Sequence, residues 1–425
     1  MRAKHSRAVL ALILASGLAG TAVCSAADAP ATAASQPANA VRPEFAKPFN
    51  EAQELPKAGK GPEALGKLKE AAALPNPTPY EQFLIVRVRA PAEYAAGDTQ
   101  AATTDFETVL ASDQVLAADK LPIMKALSQI VYNNKQYDKC VTWSQRFFDA
   151  GGEDAQLHEI LAQCQYLMKD YAPAAKAYKT IIDTQYAAGQ RPTEQRLRVL
   201  ASAQSQIHDD AGYMQTIEHL AVDYPTADYW QQLISRAAHV EKLADRQYVD
   251  VYRMKAAIYG QVAPEEILSF AGLSARAGYP AEAKHVLDDG FARKAFPAAD
   301  VGEATKLLPQ VTRLAAQDRA QNAANESAAK AAKDGNAAAN LGLLDTLDGN
   351  PQQGIALISL GIEKGGLKFP DEAKLHLGMA QYAAGQLPDA LKTFQSASGP
   401  TGVGSLARVW SLFVQSKMQT TTAAK

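Results

Sequence analysis

Between Leu127 and Tyr178 one helix-pair pattern is written twice, and a repeated unit of this size folds as a stack, not around one central core. The first copy is Leu127-Ser128, Tyr132, Tyr137 and Cys140, and the second is Leu161-Ala162, Tyr166, Tyr171 and Ala174, followed by Tyr178. Matched residues are 34 apart in every case (161 − 127, 166 − 132, 171 − 137 and 174 − 140). A small residue beside the leading Leu lets two helices approach, and large residues one turn away fill the remaining space. A unit built this way cannot bury its apolar face alone, so stacking is obligatory.

The pattern extends in both directions. Phe45, Phe49 and Leu55 face Ala64, Leu65, Leu68 and Ala71, and the run Pro75-Asn76-Pro77-Thr78-Pro79 then ends the helix. Phe83 to Ala95, a turn at Gly97-Asp98, and Ala102, Phe106 and Leu110 form the next unit. Beyond the two clean copies come Leu200-Ala201 with Ile217 and Leu220, then Trp230 and Leu233, then Ile267 to Gly290 with its turn at Gly278-Tyr279-Pro280. Val301 to Asp334 breaks the period and reads as one long Ala-rich helix, since Ala has the best helix propensity. Two units then return, Leu341-Gly342 with Gly349, Gly354 and Ile358, and Leu377-Gly378 with Tyr382, Gly385, Ala390, Phe394 and Ala397. Leu406 to Val414 reads as a final capping helix.

These residues and their period resemble the tetratricopeptide repeat (TPR). The resemblance implies an all-α solenoid, a superhelix with a concave groove, here as two arrays joined by the long helix. The expected organisation is a signal peptide at 1–26, a disordered leader at 27–42, an N-terminal array at 43–300 and a connecting helix at 301–335. A C-terminal pair with its cap follows at 336–418, and a disordered tail at 419–425.

The signal reading rests on Arg2, Lys4 and Arg7 before an apolar run from Ala8 to Val23, with Ser25-Ala26-Ala27 as the cleavage site. The run is short and broken by Gly17 and Gly20, which disfavours a membrane span. Val23 before Cys24 disfavours lipid attachment. A bacterial periplasm is the expected location. With 43 basic and 45 acidic side chains, the chain offers no electrostatic reason to bind nucleic acid. Cys140 and Cys164 remain in the mature chain, on packing neighbours of adjacent repeats. A disulfide is open to them in an oxidising compartment, but two buried thiols acting as small apolar residues are the favoured expectation.

Catalytic and metal motifs fail on inspection. His158-Glu159 begins a zinc-like string, yet Ala162 stands where the second His is needed. His208-Asp209-Asp210 reads as a polar turn, Gly365-Gly366 as a helix stop, and neither a phosphate loop nor a nucleophile elbow is present. No catalytic residue, cofactor or metal is expected. A ligand-binding or enzymatic alternative requires a deep polar pocket, placed most naturally near Val301 to Asp334. In TPR proteins the first helices line the groove, so the resemblance implies a ladder of Tyr94, Gln129, Tyr132, Gln163 and Tyr166, suited to an extended peptide. Packing alone also explains these tyrosines. Arg87 and Arg89 fit a solvated helix face better than recognition of acidic groups.

A narrower resemblance covers 229–413. Asp228-Tyr229-Trp230 with Leu233, Gly278-Tyr279-Pro280-Ala281-Glu282-Ala283 with Val286-Leu287 and Gly290, and Ile362-Glu363-Lys364-Gly365-Gly366-Leu367-Lys368 leading into Leu377-Gly378 are similar to exported TPR proteins found with TonB–ExbB–ExbD systems. That implies a non-enzymatic periplasmic adaptor, possible in TonB-dependent transport, that binds another envelope protein or peptide segment. The alternative is a structural or assembly factor for envelope polymer export or secretion machinery.

Overall fold

The computed structural model describes residues 40–239, 243–398 and 402–423. The signal segment, Cys24 and most of the expected leader lie outside them. The described residues form an all-α solenoid of TPR-like antiparallel helix pairs, twenty α-helices with no strand among them.

Recurring turn chemistry explains the pairs. The chain turns through one residue in the left-handed region at Gly97, Lys135, Lys169, His208, Gly278, Gly349 and Gly385, with φ from 57° to 91°. The next residue caps the second helix with ψ of 59° to 77°. In six of these turns its N–H closes back on a carbonyl of the preceding helix at 2.8–2.9 Å, as from Gln136 to Val131 and from Asp170 to Gln165. Starts are equally local. Thr78 and Glu81 form a capping box, and Asp98, Asp154 and Asp209 accept from the N–H groups of Ala101, Leu157 and Gly212.

The described residues fall into two compact units, one within 40–190 with 202–208, the other within 191–201 with 209–423. The first contains α1 (Pro43–Glu54), α2 (Gly61–Ala72), α3 (Pro79–Ala96), α4 (Thr99–Ala111), α5 (Ala117–Asn133), α6 (Tyr137–Asp149), α7 (Ala155–Leu167) and α8 (Tyr171–Ala187). α9 (Glu194–Gln206) is divided between the units. Each helix of the first unit packs chiefly on its neighbours in sequence. Phe45, Phe49, Leu68 and Leu84 form one core cluster, and Phe106, Leu127, Ile130, Trp143 and Leu157 the next. The end of the expected leader is ordered: Arg42 pairs with buried Glu81 at 2.8 Å and donates to the Pro75 carbonyl.

The second unit contains α10 (Asp210–Asp223), α11 (Ala227–His239), α12 (Asp245–Tyr259), α13 (Ile267–Arg276), α14 (Pro280–Ala292), α15 (Val301–Ala331), α16 (Asn336–Leu347), α17 (Pro351–Lys364), α18 (Pro370–Ala383), α19 (Leu387–Ala397) and α20 (Gly402–Ala423). Small residues set its closest approaches. A Cβ on Gly342 of α16 would stand 2.7 Å from the Gly354 carbonyl oxygen of α17, and one on Gly378 would stand 2.6 Å from the Phe394 ring.

Three expectations are corrected here. The long helix α15 forms as expected, but it packs on α13, α14 and α16 inside the second unit and does not divide two arrays. α20 is not a solvated cap. It packs on α18 and α19, then on α10, α11 and α12, burying Leu406, Val409, Trp410, Phe413 and Val414 and closing the unit's run of helices on itself. Its helix also continues to Ala423, through residues expected to be a disordered tail.

Candidate functional site

In the first unit the five ladder residues fall on three first helices, Tyr94 on α3, Gln129 and Tyr132 on α5, Gln163 and Tyr166 on α7. All five are half-buried. Tyr94 and Tyr132 pack against the same core cluster, and burial pushes the Tyr132 hydroxyl pKa upward, with Tyr137 and Glu159 adding to it. Tyr166 differs: its hydroxyl lies 2.9 Å from the Ser202 hydroxyl, and its ring meets Tyr171 edge-on at 5.6 Å. Among the described residues no side-chain hydrogen bond engages Tyr94, Gln129, Tyr132 or Gln163.

The two basic residues near this row are not simply solvated. Arg89 on α3 makes a bidentate pair with Asp105 on α4 at 2.5 and 2.9 Å, and Arg87 meets Asp119 on α5 at 3.0 Å. Glu93 sits one turn beyond Arg89, with one carboxylate oxygen buried and unpartnered. Burial first, and nearby Asp105 second, push its pKa up to about 7. Nothing in the sequence marks Glu93, because both its burial and its approach to Asp105 come from the packing of α3 on α4. Cys140 on α6 and Cys164 on α7 are joined as a disulfide with Cα atoms 6.4 Å apart, in place of the favoured buried thiols. The helices that bear them are direct packing neighbours, which brings the Cα atoms within bridging range.

The second unit holds features that sequence reasoning missed. On α12, buried Arg253 forks to Glu282 of α14 at 2.7 and 2.8 Å and reaches Asp250 at 2.7 Å. His376 of α18 closes on Asp250 at 3.1 Å, and the guanidinium sits 4.6 Å from the Tyr279 ring centroid. Burial alone would raise the Asp250 pKa, but His376 and Arg253 outweigh it and hold the carboxyl below its ordinary value. Burial pushes Tyr279 up to about 12. Asp250 and His376 are 126 residues apart, so only the fold brings them together.

Beside this cluster lies a pocket of about 390 Å³, whose lining includes Val262, Phe270, Leu347, Met379, Tyr382 and Trp410. It does not involve the Val301–Asp334 helix, the place where a ligand-binding or enzymatic alternative would have needed one. Tyr382, which shares the ladder's register, is half-buried here against Trp410 and Phe413 at 5.5 and 5.7 Å. His208 is a left-handed turn residue and Asp209 a helix cap. Among the described residues no group of three His, Cys, Asp or Glu is placed to hold a metal, and no helix is long and apolar enough to cross a membrane.

No protein-family model and no curated protein matches the sequence. Solved structures with similar folds include a tetratricopeptide repeat protein from Parabacteroides merdae ATCC 43184, at 10% identity, TM-score 0.32, with 80% of this chain and 99% of that one covered. The TPR2AB-domain:pHSP90 complex of yeast Sti1 matches at 15% identity and TM-score 0.22, covering 71% and 99%. The Naa15/Naa10 complex bound to HypK-THB matches at 16% and 0.31, covering 83% and 58%. Scores this low carry no argument about site or partner. The fold assignment rests on the repeated helix pairs themselves.

Proposed function

We propose that the chain is a non-enzymatic scaffold of the bacterial periplasm that binds an extended segment of another envelope protein along the first helices of its first unit. The observation that carries this reading is the set Tyr94, Gln129, Tyr132 and Gln163. They sit on successive first helices, half-buried, with amide and hydroxyl groups that no described side-chain hydrogen bond engages. Flat amphipathic rings and amide donors suit a peptide backbone. Tyr166, tied to Ser202, forms the more rigid end of the row. The Cys140–Cys164 disulfide supports an oxidising compartment. Resemblance over 229–413 favours a TonB-type transport system as the setting.

Recovery of partners from envelope extracts tests the row. The double variant Gln129→Ala and Gln163→Ala, which leaves the packed rings in place, should lower recovery about tenfold, while the helical signal and thermal midpoint stay near those of the parent. Undiminished recovery with the fold intact sinks the groove.

A further inference from the structure

We infer that Asp345 and Asn322 form a proton-dependent latch in the second unit, a carboxylic acid–amide pair that fastens the second half of α15 to α16 in acid and lets go as pH rises. The latch is separate from the peptide row of the first unit.

α15 is held in two different ways along its length. Ala304, Val311 and Ala315 are buried, and so is Ala329, but nothing on the helix between Ala315 and Ala329 is. Over that stretch polar side chains tie it down. Arg319 pairs with Asp348 at the end of α16, Asn322 with Asp345 of α16, and Glu326 accepts from Gln353 of α17. Steps of three and four residues put these three on one face of the helix. With no apolar burial beside them, these bonds carry the docking of the stretch.

The middle bond is incomplete if Asp345 is ionised. Asp345 is 4% exposed, and the Asn322 amide N–H donates to its Oδ1 at 2.9 Å. Asp345 Oδ2 and Asn322 Oδ1 are both buried and have no donor among the described residues. Of the orphaned buried side-chain atoms there, these are the two that belong to side chains already bonded to each other. One proton satisfies both. On Oδ2 it makes a hydroxyl that donates to the amide oxygen, while the amide N–H donates to Oδ1, and no polar atom of the pair is left unmatched.

The surrounding charges favour that proton. Burial leads in raising the Asp345 pKa; the Asn322 bond opposes it, and the carboxylates of Glu326 on α15 and Asp348 at the end of α16 add to it. Among the described residues no charge of α14, α17 or α18, which also pack on α16, bears on it. Nearby cations are committed: Arg319 to Asp348, Lys330 to Glu326, and Lys364 to the carbonyls of Ala329, Lys330 and Ala332. An ionised Asp345 would be buried without a counter-charge. With its folded value above the ordinary 3.8, the latch is whole below that ordinary value and is lost as pH rises through the folded one.

Asp345→Asn copies the protonated acid, because its amide N–H can donate to Asn322 at any pH. Hydrogen exchange of the full chain compares parent and variant at the same pH. Over residues 316–328 the two should agree within about twofold at pH 4, and at pH 9 the parent should exchange about tenfold faster, the worth of one buried hydrogen bond. Asn322→Ala removes the amide and keeps the carboxyl, so its effect is the reverse. It should exchange the stretch about tenfold faster than the parent at pH 4 and within about twofold of it at pH 9, and it keeps the test valid if Asp345→Asn does not fold. The proton itself is read as a protonated-carboxyl carbonyl band in the infrared difference between parent and Asp345→Asn at pH 5, where a carboxyl of ordinary value is ionised. Absence of that band, or variant-to-parent ratios that do not change with pH, overturns the latch and means that a bound water serves the two oxygens of an ionised Asp345.

Discussion

Glu93 shows how one side chain's behaviour depends on the helix opposite. Its side chain is 13% exposed, Arg89 stands 3.6 Å away, and Arg89 is already committed to Asp105. Burial and Asp105 therefore win over Arg89, and the carboxyl titrates at about 7 in the folded chain against an ordinary 4.5. The folded state then holds a proton that the unfolded state has released between these two values. Stability from this site is highest below pH 4.5 and declines as pH rises through 7. Glu93→Gln should raise stability at pH 8 by about 1–2 kcal/mol, after discounting for solvent screening, and change little at pH 4. Thermal melts of both proteins at the two pH values check this, and an equal shift at both would refute the titration. Glu81 is the opposite case. The Arg42 side chain leads in lowering its pKa to about 2, so its contribution is present above pH 4.5 and fades as pH falls toward 2.

Helix pairs were the most legible level of the structure, because small-beside-large spacing and turn chemistry are both local. Leu127-Ser128 and Leu161-Ala162 fall on α5 and α7 as the period requires, and Gly97 and Gly278 mark turns where they were expected; Gly349 and Gly385, read only as members of the repeat pattern, prove to be turns of the same kind. Lys135, Lys169 and His208 adopt the same left-handed turn without a glycine, and of these only His208, with its polar neighbours, was read as a turn. The disulfide was less legible, since sequence supplies a neighbouring pair of helices but no Cα separation. It joins α6 to α7 across 24 residues of chain and links adjacent repeats. Closing a loop of that length should contribute about 3–4 kcal/mol. Dithiothreitol, or the pair Cys140→Ala and Cys164→Ala, should lower the thermal midpoint and speed amide exchange in α6 and α7 first. Identical melts with and without reductant would show that the bridge contributes nothing.

At the scale of the whole chain, the sequence anticipated repetition but not closure. Nothing in the period distinguishes a last helix that faces solvent from one that returns to the start of its unit, because the return is a contact between segments far apart in sequence. Phe413 makes the point: it is 3% exposed, lies 5.7 Å from both Trp230 of α11 and Tyr382 of α18, and packs on Trp410 of its own helix. Arg408 adds a bidentate pair to Glu218 of α10 at 2.6 Å. Repeats that touch only their neighbours unfold by segments, whereas a closed run shares its loss of contacts among all its members. Phe413→Ala should cost about 3–5 kcal/mol, as large-to-small changes in a packed core do. Hydrogen exchange should then quicken in α10 and α11 as well as in α18 to α20, while α1 to α6 keep the parent rates. Faster exchange confined to α18, α19 and α20 would mean that the closure is not cooperative and that the second unit behaves as an open solenoid.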